Sequence, residues 1–229
     1  MPCNDRVPAW VTVKVMTEAL AATRPLDDDA LREAAVELAR RDPDLAGILA
    51  RHGPPPLWAR PPGFATLVAI VLEQQVSLRS GAAALERLRI AAGGTVAPGS
   101  VAVLGEDGAR TAGLTRQKAR YVVALADAAA DGRLDLDAIA TAGDEAARAG
   151  LTALLGVGRW TADIYLLMAL GRPDVWPSGD LALAAAMRRA KRLDALPTAD
   201  EQQETAESWR PFRAVAARLL WHAYLAGER

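Results

Sequence analysis

Gly156 and Gly158 stand one residue apart between two stretches of helical periodicity, and this pairing constrains the chain more than any other feature. Around them runs Leu154-Leu155-Gly156-Val157-Gly158-Arg159-Trp160-Thr161. The chain must reverse in a few residues there, and only a residue without a Cβ combines positive φ with close backbone approach. The second helix opens at Arg159, Trp160 and Thr161, and its first-turn N–H groups point out of the turn. Placed at the positive end of a helix, such groups suit a phosphate. The carbonyls left over on the preceding helix end and turn, those of Thr152, Leu154 and Val157, suit a monovalent cation, sodium or potassium, that shares the phosphate. On the Gly-x-Gly alone, an ordinary glycine-capped connection between two helices is the simpler reading.

The rest of the chain repeats the helical signal. Residues 27–53 carry apolar positions at helical spacing behind an Asp-rich start, which suits the helix dipole. The proline-rich run 53–63 is too rigid for a helix interior and reads as a connector. Two helices follow in 64–94, with a break around Val76–Ser77, and another in 113–132 opens on basic residues. A helix, a tight hairpin and a helix occupy 144–171; after a proline-bounded loop, helices resume at 180–193 and 206–227. Only residues 7–16 look β-like.

A chain of 229 residues buries a sizeable core. Its apolar runs are broken by polar and charged residues, and its N-terminus lacks a signal peptide's apolar region, so a cytoplasmic protein without a membrane association is expected. The single Cys3 excludes an intramolecular disulfide, a cysteine zinc site and a four-cysteine iron–sulfur cluster. His52 and His222 have no metal-ligand spacing. The net charge of −1 argues against a polyanion partner, but the charge is segregated. Arg110, Arg116, Lys118 and Arg120 lie in a stretch without acids, and Arg148 to Arg192 holds more bases than acids. A solvated helix face explains such a bias as readily as a binding surface.

The Leu154–Asp163 segment, followed some twenty residues later by Asp180 after a loop, resembles the helix-hairpin-helix (HhH-GPD) DNA glycosylases. Within them it is similar to the alkylpurine branch of 3-methyladenine DNA glycosylase II (AlkA) type. The segments "DPDLAGILARHGPPPLW", "FATLVAIVLEQQVS", "GLTRQKARYVVALA" and "WRPFRAVAARLLWHAY" resemble family segments in family order. The resemblance implies an all-α fold of two interleaved helical domains: residues 25–63 with 172–229, and a central 64–171 carrying the hairpin at about 147–170. Residues 1–24 would be an N-terminal extension, leaving no β-domain of the kind larger members carry.

The implied function is base-excision repair by a monomeric hydrolase on damaged double-stranded DNA, releasing 3-methyladenine and 7-methylguanine without a catalytic cofactor. Breaking an N-glycosidic bond through an oxocarbenium-like sugar requires a negative charge near C1′ and a pocket for the extruded base. By the resemblance Asp180 is that charge; its plain alternative is the N-cap of the following helix. Where strand-cutting relatives carry a lysine, this chain has Trp160, which cannot act as an amine nucleophile, so abasic-site lyase activity is not expected. Trp160 and Trp221 correspond to pocket aromatics that suit a cationic base. A pocket tyrosine of the branch falls at Ile164, with Tyr165 one place later. Gln75 matches the residue that enters the duplex gap, while Gln74 would reach the site or the opposite strand. Ser77, Arg116, Lys118 and Arg120 become backbone-phosphate candidates beside Gly156, Gly158, Arg159 and Thr161. The competing readings are a glycosylase of this fold for deaminated or oxidised bases and a noncatalytic helix-hairpin-helix DNA-binding protein.

Overall fold

The computed structural model describes residues 24–227, so the expectations for Cys3, the β-like stretch and all of the N-terminal extension except Arg24 lie outside it. The described residues form twelve helices and no strand: α1 (Asp28–Arg41), α2 (Pro43–His52), α3 (Phe64–Glu73), α4 (Leu78–Ala91), α5 (Pro98–Thr111), α6 (Arg116–Ala130), α7 (Leu136–Thr141), α8 (Asp144–Thr152), α9 (Arg159–Met168), α10 (Leu181–Ala190), α11 (Ala199–Glu207) and α12 (Arg213–Leu225). No helix among them is long and apolar enough to cross a membrane.

The chain folds into two compact units. One joins the described residues up to Leu57 with those from Gly171 onward; the other is the continuous segment Trp58–Leu170. In the first, α12 is the central element. Every residue from Arg213 to Trp221 is buried, the pattern of a helix surrounded on all sides, and it packs against α1, α2 and α10. Leu31, Leu38, Leu45, Ile48, Leu183 and Met187 fill the space around it. In the second unit α3 has that place, with Leu67, Val68, Ile70, Val71 and Leu72 buried against α4, α6 and α9. Each fully buried leucine contributes roughly 1.5–3 kcal/mol gross, so these two helices organise their units.

Two stretches that read as single helices are divided. Residues 27–53 form α1 and α2 because Pro43 has no N–H to continue a helix and pushes Asp42 to extended backbone (φ −131°, ψ 109°). Asp42 then caps α2, accepting from the N–H groups of Asp44 and Leu45. The last stretch divides in the same way, α11 ending at Glu207 and α12 starting at Arg213, with Pro211 between. The sequence reading makes no assignment for α5, for α7 or for α11 before Ala206. The first bends at Gly105, whose φ of 65° is outside the helical range, and the second has only six residues.

Candidate active site and DNA-contact elements

Within the first unit the loop from Gly171 to Gly179 delivers Asp180, and charge anchors it. Asp174 accepts from both Nε and Nη2 of Arg213 at 3.0 Å and from Nη1 of Arg210 at 2.8 Å. Arg213 is itself buried, so this paired geometry is worth more than a surface ion pair. The Ala214 N–H donates to the Pro173 carbonyl at 3.0 Å, and Trp176 is buried against Trp209 with ring centroids 5.5 Å apart. At the loop's end the Ser178 hydroxyl donates to the Ala199 carbonyl. Asp180 becomes the N-cap of α10, its Oδ1 accepting the Leu183 N–H at 2.9 Å. The same oxygen accepts the Trp221 indole N–H at 3.3 Å. The cap and the indole both act on one carboxylate oxygen, which fixes the direction of the group at the positive end of a helix. Trp221 is buried and orients Asp180 through its N–H.

The second unit holds the hairpin. Gly156 turns the chain at φ 85°, and a Cβ there would lie 2.3 Å from Cγ of Tyr121, so the ring on α6 packs into the space the glycine leaves. Gly158 caps α9 without a side-chain hydrogen bond, leaving the first-turn amides to other acceptors. Arg159 and Gly158 are exposed and Trp160 is half-buried. The two helices of the hairpin are tied by a buried pair, Arg148 Nε to Asp163 Oδ1 at 2.6 Å. Burial disfavours the charge on Arg148, but the carboxylates of Asp163 and Glu145 outweigh it and hold the guanidinium above its ordinary range.

Several residues sit differently from the sequence expectation. Tyr165 is fully buried and its hydroxyl accepts the Gly63 N–H at 3.0 Å; Ile164 is buried as well, so neither offers a surface to a base. Lys118, read as a phosphate contact, turns inward: its ammonium donates to the Leu72 carbonyl at 2.6 Å, and burial pushes its pKa down. The Gln74 side-chain amide, read as reaching the site or the opposite strand, donates to the Gly156 carbonyl at 2.9 Å and to the Thr161 hydroxyl oxygen at 2.8 Å. Thr161 is buried, so only its main chain remains for a phosphate. Ser77 is exposed and caps α4, accepting the Ser80 N–H.

Arg116 and Arg120 are exposed, one helical turn apart on α6, and Gln75 is exposed with a left-handed φ of 56°. The Leu154 carbonyl accepts the Val157 N–H at 3.1 Å, which leaves it one lone pair for another partner. No cluster of three or more His, Cys, Asp or Glu residues that could hold a metal ion occurs among the described residues. The sequence reading missed Asp174, Arg213, Arg148 and Tyr121. An acid in a proline-bounded loop was the one available signal, at Asp174.

The chain as a whole is similar to known proteins. A probable bifunctional transcriptional activator/DNA repair enzyme AlkA of Mycobacterium tuberculosis is 34% identical over 235 residues, taking in 96% of this chain and 46% of that relative. The chain thus spans about half the relative's length. The crystal structure of a DNA-3-methyladenine glycosidase from Bacillus halodurans superposes with a TM-score of 0.71 at 26% identity, covering 82% of this chain and 87% of that one. The 3-methyladenine DNA glycosylase of Schizosaccharomyces pombe in complex with abasic DNA shares the fold, with a TM-score of 0.77 at 23% identity over 86% of this chain and 98% of that one. A family model described as HhH-GPD superfamily base excision DNA repair protein matches residues 68–211, a span that includes both the hairpin and Asp180. With more than half of its length matched, the chain belongs to the HhH-GPD superfamily of base excision DNA repair proteins.

Proposed function

We propose that the chain is a monofunctional DNA glycosylase that hydrolyses the N-glycosidic bond of alkylated purines extruded from duplex DNA. The observation that carries this reading is the Asp180 carboxylate, fixed through one oxygen by the Leu183 amide and the Trp221 indole. The name of the Bacillus halodurans structure, a DNA-3-methyladenine glycosidase, supports the same substrate class, and that of the mycobacterial relative supports a role in DNA repair. Alkylation at N3 or N7 makes the purine cationic, so it departs as a neutral base when the bond to C1′ breaks and takes the electron pair. The sugar is left with oxocarbenium character, and Asp180 stabilises that charge while water adds to C1′ and loses its proton. Half-buried Trp160 supplies an aromatic face that suits a cationic base.

An amine nucleophile is absent from position 160. Of the chain's three lysines, Lys118 is committed to the Leu72 carbonyl and Lys191 to Asp42 and Asp44, while Lys14 lies outside the described residues. This supports a water-using enzyme that leaves an abasic site. The hairpin would grip the DNA backbone through the amides that Gly158, Arg159 and Thr161 present, with Gly156 making the turn and with Arg116, Arg120 and Ser77 as further phosphate contacts. Neutral main-chain oxygens of Thr152, Leu154 and Val157 suit a monovalent cation, which would add positive charge beside that phosphate. Gln75 would fill the gap left by the extruded nucleotide.

The test is base release from methylated duplex DNA by the wild type and by Asp180→Asn, with strand breaks scored before and after alkali. The expected result is release of methylated purines, breaks only after alkali, and a loss of roughly 10²–10⁴ in rate for the variant. Breaks before alkali would refute the water-only mechanism. Salt-sensitive duplex binding without base release would refute the alkylpurine reading and favour another lesion class or a noncatalytic binder.

A further inference from the structure

The break between α3 and α4 is held from more than one side. The Gln74 N–H returns to the Val71 carbonyl at 3.4 Å, and the neighbouring Leu72 carbonyl receives the Lys118 ammonium at 2.6 Å. Glu73 is paired with Arg60 at 3.0 Å, and Gly81 lets α4 approach so closely that a Cβ there would lie 2.6 Å from Glu73 Cγ. Gln74 then reaches across to the hairpin. Its single amide nitrogen uses one hydrogen on the Gly156 carbonyl, at the turn, and the other on Thr161 Oγ1, in the first turn of α9. One side chain therefore bridges the α3–α4 break and both parts of the phosphate-gripping hairpin.

The segment next to this bridge is unusual. Gln75 adopts a left-handed φ of 56° without being a glycine, a conformation of about 1–3 kcal/mol that persists only where the surroundings over-determine it. Val76 is 44% and Leu78 65% exposed, so Gln75 stands beside two large apolar side chains that the unit covers only in part. Exposed apolar groups on a rigid tip suit the faces of unstacked bases.

We infer that Gln74 is a positioning residue that fixes the tip 75–78 against the hairpin, so that grip on the backbone and entry into the duplex occur at one set spacing. This rests on the proposed glycosylase reading. Both partners of Gln74 are acceptors, so the bridge requires two N–H donors on one nitrogen. Gln74→Met removes the donors, and Gln74→Glu sets a carboxylate against two oxygens. Thr161→Val removes one acceptor, whereas Thr161→Ser keeps it.

The test uses a duplex carrying an abasic analogue with 2-aminopurine beside it, whose fluorescence rises when the stack is opened. The whole chain and each variant are brought to saturation, and thermal unfolding is followed alongside. The wild type is expected to raise the fluorescence, Gln74→Met, Gln74→Glu and Thr161→Val to lose several-fold of that rise, and Thr161→Ser to restore it. Affinity for an undamaged duplex is expected to move less than the rise does. A full rise in Gln74→Met and Thr161→Val, or no rise in the wild type, overturns the inference. Base release from methylated DNA is measured on the same proteins. A wild type that opens the stack but releases no base leaves Gln74's role standing and overturns the alkylpurine reading, whereas release without a rise does the reverse.

Discussion

The two units hold their functional elements by different means. In the first, the segments around Asp180 are fastened by charge: Asp174 with Arg213 and Arg210, and Asp42 with Lys191. In the second, the hairpin turn is set by shape and neutral donors, Tyr121 in the space at Gly156 and Gln74 on a carbonyl and a hydroxyl, while charge enters beside it, in the buried Arg148–Asp163 pair and in Lys118 and the Arg60–Glu73 pair at the α3–α4 break. A charged clamp fixes direction and depends on protonation. A steric fit fixes distance and is indifferent to pH, but it tolerates no added atom. On the function proposed above, a carboxylate aimed at a cationic sugar needs direction, whereas a turn that meets a phosphate needs close approach.

The largest expected effect comes from removing Asp42, the centre of the first unit's charge network. It caps α2, accepts the Trp209 indole N–H at 2.7 Å and takes the Lys191 ammonium on both oxygens at 2.8 and 2.7 Å. Asp42→Ala leaves a buried indole N–H unmatched and the partly buried Lys191 ammonium with Asp44 as its remaining carboxylate, and is expected to cost up to about 3–5 kcal/mol in urea unfolding. Asp42→Asn should cost less, since it retains a cap. Burial alone raises the Asp42 pKa, but the hydrogen bonds from Lys191 and Trp209 and the Lys191 charge outweigh it, and the carboxyl sits below its ordinary 3.8. This contribution is therefore present above pH 3.8 and is lost as pH falls through the depressed value. An acid limb that persists unchanged in Asp42→Asn would show that the first unit is not held in this way.

The corresponding change in the second unit is steric. Gly156→Ala puts a Cβ against the Tyr121 ring and forces alanine to φ 85°, an overpacking of about 1–3 kcal/mol that should be accompanied by weaker duplex binding. Adding Tyr121→Ala removes the collision but not the backbone strain, so the double variant should recover part of the loss and the two changes should be non-additive. Full additivity in a double-mutant cycle would mean that the ring does not set the turn. Neither variant should change the pH dependence of unfolding, which sharpens the contrast with Asp42.

These pairs mark where the sequence stops being readable. Periodicity, prolines and glycines are local, and they disclosed α3, α4, α6, α8, α9 and α10 and the hairpin between α8 and α9. The division at Asp42 was equally local, in Pro43 and the acid before it, but helical spacing on both sides masked it. The Asp42 network was not legible at all, because its partners Lys191 and Trp209 lie 149 and 167 residues away along the chain. Lys118 illustrates the same limit. Its basic neighbours Arg116 and Arg120 are exposed, and nothing local indicates that the residue between them turns inward to a carbonyl 46 residues earlier. Gln74 and Gln75 look alike in sequence, yet one is a bridge and the other an exposed tip.

The smallest effect concerns His222, on the face of α12 that meets the end of α2. Its ring centroid lies 5.9 Å from that of His52, in a tilted arrangement. Burial pushes the His222 pKa below its ordinary 6.5, the His52 charge pushes it further, and a backbone hydrogen bond with Gly53 opposes both without reversing them. The unfolded chain then takes up more protons than the folded one as pH falls through 6.5, so stability is present above that value and declines below it. Between pH 7 and 5 the urea midpoint of the wild type should fall slightly, and His222→Phe should flatten that slope while Gly156→Ala leaves it in place. The ring is partly accessible, so the change should be well below that of Asp42→Ala. A slope that survives in His222→Phe would move the neutral-pH sensitivity away from the α2–α12 contact and onto another titrating group.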